Sequence, residues 1–271
     1  MRDRRNRRTG EAGVSESIGF LLIFTLVIVG IGLVTLYGYP LLVQQQVSAD
    51  EQIMEKNMIV LQNDMKSIAY KTVPYKETSL KIGGGALTVY NSSSAHPASA
   101  ISISDSNLYT YLNSFRSGDL RYSSQSSGTD ISLQNGAVVL RKYAEPGSTM
   151  LAQPRWFFDA PTNTMVINLI AINSSDVIAR SGVGTVQMEQ GESNYTYITQ
   201  NPPITFYLDY TPDPNTDFSN AWDTYFTSTL MMTRASGTPG AGTTVTYRLP
   251  FDPNKPATLV IKKYEVIIKS V

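Results

Sequence analysis

Twenty-six consecutive residues without a charge, Ile18 to Val43, constrain this chain more than any other feature. The surrounding stretch, GVSESIGFLLIFTLVIVGIGLVTLYGYPLL at positions 13–42, holds one charged residue, Glu16. As a helix the uncharged run would span roughly 39 Å, against a hydrocarbon core of about 30 Å. A shorter core from Ser17 to Tyr39 matches that thickness and places Tyr37 and Tyr39 where interfacial aromatic residues belong. A cleaved secretory signal would carry an apolar region of only about 7–15 residues ending at a small-residue site. Val47-Ser48-Ala49 has that form but follows three glutamines, Gln44 to Gln46, behind a run that is too long. The stretch therefore reads as a retained membrane span.

Charge distribution gives the expected orientation. Residues 1–10 hold five arginines and one acid, which leaves 17 basic and 21 acidic residues in the rest of a 271-residue chain. Basic residues ahead of a span favour a cytoplasmic N-terminus, so a single-pass protein of the cell membrane with an extracellular C-terminal domain is expected. A net-negative remainder argues against nucleic acid as a partner, because phosphate binding needs a basic surface. Cysteine is absent, which excludes disulfides and thiolate ligands. Charged residues make up 16% of the chain, below the usual quarter, a balance that suits an exported β-rich domain.

A short basic leader, then Gly13, Val14, Ser15, Ile18 and Gly19 running into an apolar helix, resembles the N-terminus of archaeal type IV pilin-like membrane proteins, with their class III-like signal peptide. VSESIGFLLIF, YGYPLL and a distant NAWDTYF are similar to a group of large-ectodomain archaeal membrane proteins to which no activity is attached. The resemblance implies that a prepilin-type peptidase cuts on the cytoplasmic side, in the region of Gly10, Gly13 and Val14, and that the apolar helix is kept. It also implies an assembly role for Glu16, pairing with the free amine of a neighbouring subunit. The residues alone allow a second reading, an acid in the first helical turn after an N-cap at Ser15.

Pro40 should kink the helix or interrupt its hydrogen bonding. Beyond it, Val47, Met54, Met58, Leu61, Met65 and Ile68 follow 4-3 spacing, broken only at Glu51. About three heptads fit one amphipathic helix laid on its own domain, or packing between subunits. From residue 76 the texture turns to short β-branched and aromatic runs between turn formers such as Gly83-Gly84-Gly85, Asn135-Gly136, Pro146-Gly147, Gly182-Val183-Gly184 and Asn201-Pro202-Pro203. Two short helices are expected, one with Leu108, Tyr111, Leu112 and Phe115 on a face, one starting near Ser219 with Ala221, Trp222, Tyr225 and Phe226. The expected fold class is α+β. A long N-terminal transmembrane and amphipathic helix precedes a mainly antiparallel β-sandwich-like outer domain with short helices. The expected divisions are a basic leader at 1–13, a span at 14–43, a helical extension at 44–73 and an extracellular β-rich domain at 76–271.

Chemistry-bearing patterns are sparse. His96, the single histidine, precedes Pro97 in a Ser-rich loop and has no triad context. Asp213, Asn215 and Asp217 begin like a calcium loop, but Phe218 stands at the glycine position and Thr224 at the closing glutamate position. The expectation is a loop in which Asp217 or Ser219 caps the next helix, with no metal, no cofactor and no catalytic residue. Three N-x-S/T sequons make Asn91, Asn173 and Asn194 candidate glycan acceptors in an exported domain. Two functional readings stand. One is a subunit, expected to be a minor one, of a type IV pilin-like filament, with the lipid bilayer, other pilin-like subunits and a prepilin-type peptidase as partners. The other is a stand-alone anchored surface protein whose β-domain binds a partner or belongs to the envelope. An enzyme is not expected.

Overall fold

The structure is a computed structural model that describes residues 9–71, 73–93, 98–175, 178–201 and 204–271, without the side chains of residues 9–16. His96, Pro97, Pro202 and Pro203 lie outside the described residues. The chain divides between Ala49 and Asp50 into two units.

The first unit is helical. Helix α1 (Thr9–Leu33) passes through a π-helical segment, Val34–Gly38, into α2 (Tyr39–Lys71). The π segment ends at Gly38, two residues before Pro40, which has no N–H to donate and would crowd the carbonyl four residues back. The Tyr39 N–H bonds to the Val34 carbonyl instead. The sequence leads one to expect a kink or interruption here, and the interruption is local: the backbone stays helical on both sides. Large apolar side chains from Ile18 to Val43 are exposed all round the helix. Thr25 and Thr35 bond within it, Thr25 Oγ1 donating to the Leu21 carbonyl at 2.7 Å and Thr35 Oγ1 to the Ile31 carbonyl at 2.9 Å, so that both hydroxyls are satisfied by the helix itself.

The second unit is built on two sheets. In chain order the strands are β1 (Tyr75–Tyr90), β2 (Ala100–Asp105), β3 (Thr110–Arg116), β4 (Asp119–Ser124), β5 (Thr129–Gln134), β6 (Ala137–Lys142), β7 (Thr149–Ala152), β8 (Phe157–Asp159), β9 (Thr164–Ser174), β10 (Ala179–Gln200) and β11 (Phe206–Thr211). Helix α3 (Ser219–Thr224) runs into a second π segment, Tyr225–Thr229, and β12 (Thr233–Ser236), β13 (Val245–Arg248) and β14 (Ala257–Ser270) follow. Nine strands form the large sheet in the order β7-β6-β5-β4-β1-β10-β14-β9-β8, and five form the small one, β12-β13-β11-β2-β3. Pairing is antiparallel except between β14 and β9.

Both faces of the large sheet are covered. Met165, Ile167, Leu169, Leu259 and Ile261 point to a core shared with the small sheet, α3 and Trp156. Ile170, Ile172, Val266 and Ile268 point the other way, to a core shared with α2. A strand buried on both sides reads as a continuous apolar run, which is why β9 has the sequence TMVINLIAI instead of an alternating one. Met54, Met58, Leu61, Met65 and Ile68 are fully buried in this second core, so the stripe on α2 packs on its own domain. Glu51, the break in that stripe, is also buried and pairs with Lys142 at 2.8 Å. The large sheet curls round α2: the edge of β9 beyond β8 is met by the Ser117 carbonyl, the Ser92 N–H and the Asn135 side chain.

Three local expectations are corrected. Leu108, Tyr111, Leu112 and Phe115 do not form a helix; Leu108 is 89% exposed at φ 64°, and the rest lie on β3. Ile101 pairs with Phe115 and Ile103 with Leu112, so β3 carries one extra residue there. That bulge puts Leu112 and Phe115 on one face three residues apart and so imitates helical spacing. Gly83-Gly84-Gly85 is no turn between strands. It is an irregularity within β1, between Ile82 and Leu87, across which the register with β10 shifts and after which β4 joins the other edge. A Cβ on Gly83 would lie 2.4 Å from the Asp50 carboxylate, and one on Gly85 2.4 Å from the Ser123 carbonyl. Gly182-Val183-Gly184 also lies within a strand, paired to Ile82, Lys81 and Leu80. By contrast Asn135-Gly136 forms the two-residue hairpin its sequence predicts, with φ of 49° and 73°.

Burial on α2 predicts a sharp contrast between neighbours. Leu61→Ala should cost about 2–5 kcal/mol, whereas Val60→Ala on the exposed face should stay within about 0.5 kcal/mol. Unfolding followed by tryptophan fluorescence measures both, because Trp156 and Trp222, the two tryptophans of the chain, are core residues of the second unit.

Candidate functional site

The most elaborate polar cluster in the second unit is buried. Asp119 and Arg121 lie two apart on β4 and so share a face. Arg121 donates from Nε to Asp119 Oδ2 at 2.7 Å, from Nη2 to Asp213 Oδ2 at 2.9 Å and from Nη1 to Thr216 Oγ1 at 3.0 Å. Ser132 Oγ donates to Asp119 Oδ2 at 2.7 Å. The guanidinium lies 4.8 Å from the ring centre of Tyr90 and 5.9 Å from that of Phe218. All three charged side chains are almost fully enclosed. Burial opposes the charge of Arg121, but the two carboxylates outweigh it and hold its pKa above the ordinary value. Burial pushes the Asp119 carboxyl up, against the opposing pull of Arg121.

This cluster ties β4 to the loop before α3. The same loop holds the residues that begin like a calcium site, and their oxygens serve the fold. Asp213 Oδ1 accepts from the Asn215 N–H at 2.9 Å. Asp217 accepts from the Ser219 N–H at 2.7 Å and the Gly242 N–H at 3.0 Å, and Ser219 Oγ accepts from the Gly240 N–H at 2.7 Å. Asp209 Oδ1 accepts from Thr246 Oγ1 at 2.6 Å. Among the described residues no group of three or more His, Asp or Glu is placed to hold a metal ion.

A cleft of about 820 Å³ opens beside this loop, lined by Arg141, Tyr143, Glu145, Ser148, Asp217 and Asn220 among others. Its polar groups are largely engaged. Tyr143 donates to Asp130, and burial together with that bond raises the phenol to about 12. Ser148 Oγ accepts from the Ala221 N–H at 3.1 Å, and Arg141 lies over the Tyr143 ring.

The sequence-derived sites are scattered. Gly10, Gly13, Val14 and Glu16 lie on the backbone of α1, and the Glu16 side chain is outside the described atoms. Because α1 is already helical at Thr9, Ser15 is not an N-cap in the full-length chain. Asn91 donates to the Ser174 carbonyl at 2.7 Å. Asn173 donates to Glu265 Oε1 at 2.5 Å and accepts from Ser92 Oγ at 2.5 Å. Asn194 is exposed on β10. Sequence reading missed the Asp119–Arg121–Asp213 cluster. The i, i+2 pair in DLRYSS is a visible signal for half of it, and Asp213 stands 92 residues further on.

The architecture defines a class: one N-terminal helix, Ser17–Lys71, long and apolar enough to cross a membrane, and a helix-backed, mainly antiparallel β-sandwich. Residues 12–269 match a family of unknown function, DUF7289, and the chain belongs to that family. No curated protein sequence and no solved structure matches the chain.

Arg121→Met should destabilise the protein by about 3–5 kcal/mol, because it leaves two carboxylates buried without their counter-charge. A pH test follows from Asp119. Its folded pKa lies above the unfolded value of about 3.9, so the folded state holds the extra proton and this group's stabilisation declines as pH rises from about 4 through the folded pKa. Asp119→Asn should therefore show a flatter dependence of thermal stability on pH over that window than the wild type.

Proposed function

We propose that this protein is an archaeal cell-surface protein anchored by its N-terminal helix, with the N-terminus cytoplasmic and the β-domain outside, and that it serves as a minor type IV pilin-like subunit. It acts by assembly and not by catalysis. The observation that carries this reading is the division of labour along the helix. From Ile18 to Val43 the apolar side chains are exposed all round, whereas from Asp50 the apolar stripe is consumed by the domain core. Only the upstream half is left to meet lipid or the helices of other subunits. Processing by a prepilin-type peptidase near Gly13 would bring Ser15 and Glu16 into the first turn of the mature helix. There the carboxylate faces the positive end of the helix dipole and the free amine of a neighbour.

The second reading is a stand-alone anchored surface protein, favoured by the same burial of the α2 stripe, since that stripe is spent within one chain. Glu16→Ala separates the two. In an assembly Glu16 sits in a seam of packed helices where an unpaired charge is costly, so its loss should abolish side-by-side packing while membrane insertion persists. Single cysteines at Val27 or Ile31 in the otherwise cysteine-free chain report that packing in membranes. Cross-links that disappear in Glu16→Ala support the subunit, and no cross-links in either form supports the stand-alone protein. Digestion of residues beyond about 70 by protease added to intact cells is expected under both, and protection of the whole chain would overturn the orientation.

A further inference from the structure

Strand β10 overhangs its sheet. Its first half pairs with β1, which stops at Tyr75 opposite Glu189, and one further backbone bond joins the Gln190 N–H to the Pro74 carbonyl. On the other side the ladder with β14 continues unbroken from Ser193–Tyr264 to Gln200–Ala257. Residues 193–200 thus have β14 on one side and, among the described residues, no strand on the other. This edge differs from the four terminal edge strands of the two sheets. β7 and β8 have four and three residues, β12 carries Arg234 and a bulge, and β3 carries Arg116 and a bulge. Those are the usual devices that blunt an exposed edge. Ser193 to Gln200, SNYTYITQ, has no charge, no proline and no bulge. It also carries two of the most exposed aromatic residues of the domain, Tyr195 at 75% and Tyr197 at 64%, on the same face.

We propose that this edge pairs with the same edge of a second copy of the chain, antiparallel about a two-fold axis at Thr196. The sequence is self-complementary in that register. Thr196 faces Thr196, Tyr195 faces Tyr197, Asn194 faces Ile198, Ser193 faces Thr199, and Glu192, the nearest charge, faces Gln200. No like charges oppose each other. Cross-strand aromatic and threonine pairs are among the favourable ones, and an isologous interface requires such self-matching. One pairing accounts for both oddities of β10, the open backbone edge and the exposed tyrosines, by joining two nine-stranded sheets into one. The inference does not depend on the filament reading, since it concerns the second unit alone.

Full-length protein in detergent micelles, with single cysteines and a short bismaleimide, tests it. In this register opposing Thr196→Cys side chains lie about 5 Å apart at Cβ, while Thr199→Cys side chains are separated by six residues, about 20 Å. A cross-linked dimer is expected from Thr196→Cys, from Ser193→Cys mixed with Thr199→Cys, and not from Thr199→Cys alone. Adding Tyr195→Glu and Tyr197→Glu, both solvent-facing, with position 195 opposite Lys262 of its own chain, sets like charges opposite each other across the two-fold axis and should abolish the Thr196→Cys cross-link without lowering the melting temperature. Equal cross-linking at 196 and 199, absence of cross-links at both, or a dimer indifferent to the glutamates would overturn the proposal. A glycan found on Asn194, which would cap this edge, or another polypeptide's strand bound along 193–200, would overturn the second copy as the occupant.

Discussion

The packing of α2 into the curl of the nine-stranded sheet is the interaction on which the rest of the domain depends. Met54, Met58 and Met65 supply unbranched, adaptable side chains, suited to a concave and irregular face, and Leu61 and Ile68 complete the buried stripe. Gln62 in the same stripe anchors the helix by donating to the Gly136 carbonyl at 2.7 Å and the Gln153 carbonyl at 3.0 Å. Both acceptors belong to loops that flank strands of the curled sheet. Without the helix, one face of that sheet would present Leu80, Leu87, Leu133, Ile170, Val186 and Ile268 to water. The small sheet could not compensate, because it occupies the opposite face.

Close approach to α2 also explains Gly83 of β1, as close approach to β4 explains Gly85. Asp50 and Glu51 enter at the irregularity in β1, and a Cβ at Gly83 would lie 2.4 Å from the Asp50 carboxylate. Tyr122 Oη donates to the Gly83 carbonyl at 2.6 Å and Ser124 Oγ to the Gly84 carbonyl at 2.7 Å, so the carbonyls exposed by the irregularity are taken up by β4. Here a sequence of three glycines looks like a turn and is in fact a strand under steric constraint. Nothing in the local pattern distinguishes the two. The deciding atom belongs to a residue more than thirty positions earlier.

What was legible in the sequence was whatever a single element decides. The apolar span, the heptad stripe, the Asn135-Gly136 hairpin and the helix face of Ala221, Trp222, Tyr225 and Phe226 follow from spacing or turn chemistry within a dozen residues. What was not legible depends on partners distant in sequence. The bulge in β3 counterfeits helical periodicity, and only its pairing with β2 reveals it. The parallel alignment of β9 with β14, nearly a hundred residues apart, leaves no local mark beyond a run of apolar residues. Of the buried charge cluster, Asp119 and Arg121 could be placed on one face from their spacing. Asp213 could not be joined to them, because its loop reads locally as a cap for the next helix and nothing in it points to an arginine 92 residues earlier.

Along the N-terminal helix, a stretch that is apolar on all sides gives way to a one-sided apolar stripe. From Ile18 to Val43 every face is apolar, as in a helix long and apolar enough to cross a membrane, and no periodicity is needed because no direction is polar. From Gln44 to Gln46 the side chains turn polar, and by Met54 the apolar residues are confined to one stripe, as for a helix with water on one side and a protein core on the other. Pro40 sits just before that change, and the π segment ahead of it absorbs the missing N–H without ending the helix. A proline in the interior of a solvent-exposed helix would cost about 3 kcal/mol. In an apolar medium, fraying of the freed carbonyls would cost more, since no water is at hand to satisfy them. A local change in helical pitch that re-pairs the Tyr39 N–H with Val34 keeps most of that backbone satisfied. The position of the proline, three residues before the apolar pattern ends, is therefore the position where such an adjustment costs least: close enough to the polar side for relief, and still within a helix that continues into the domain core as α2.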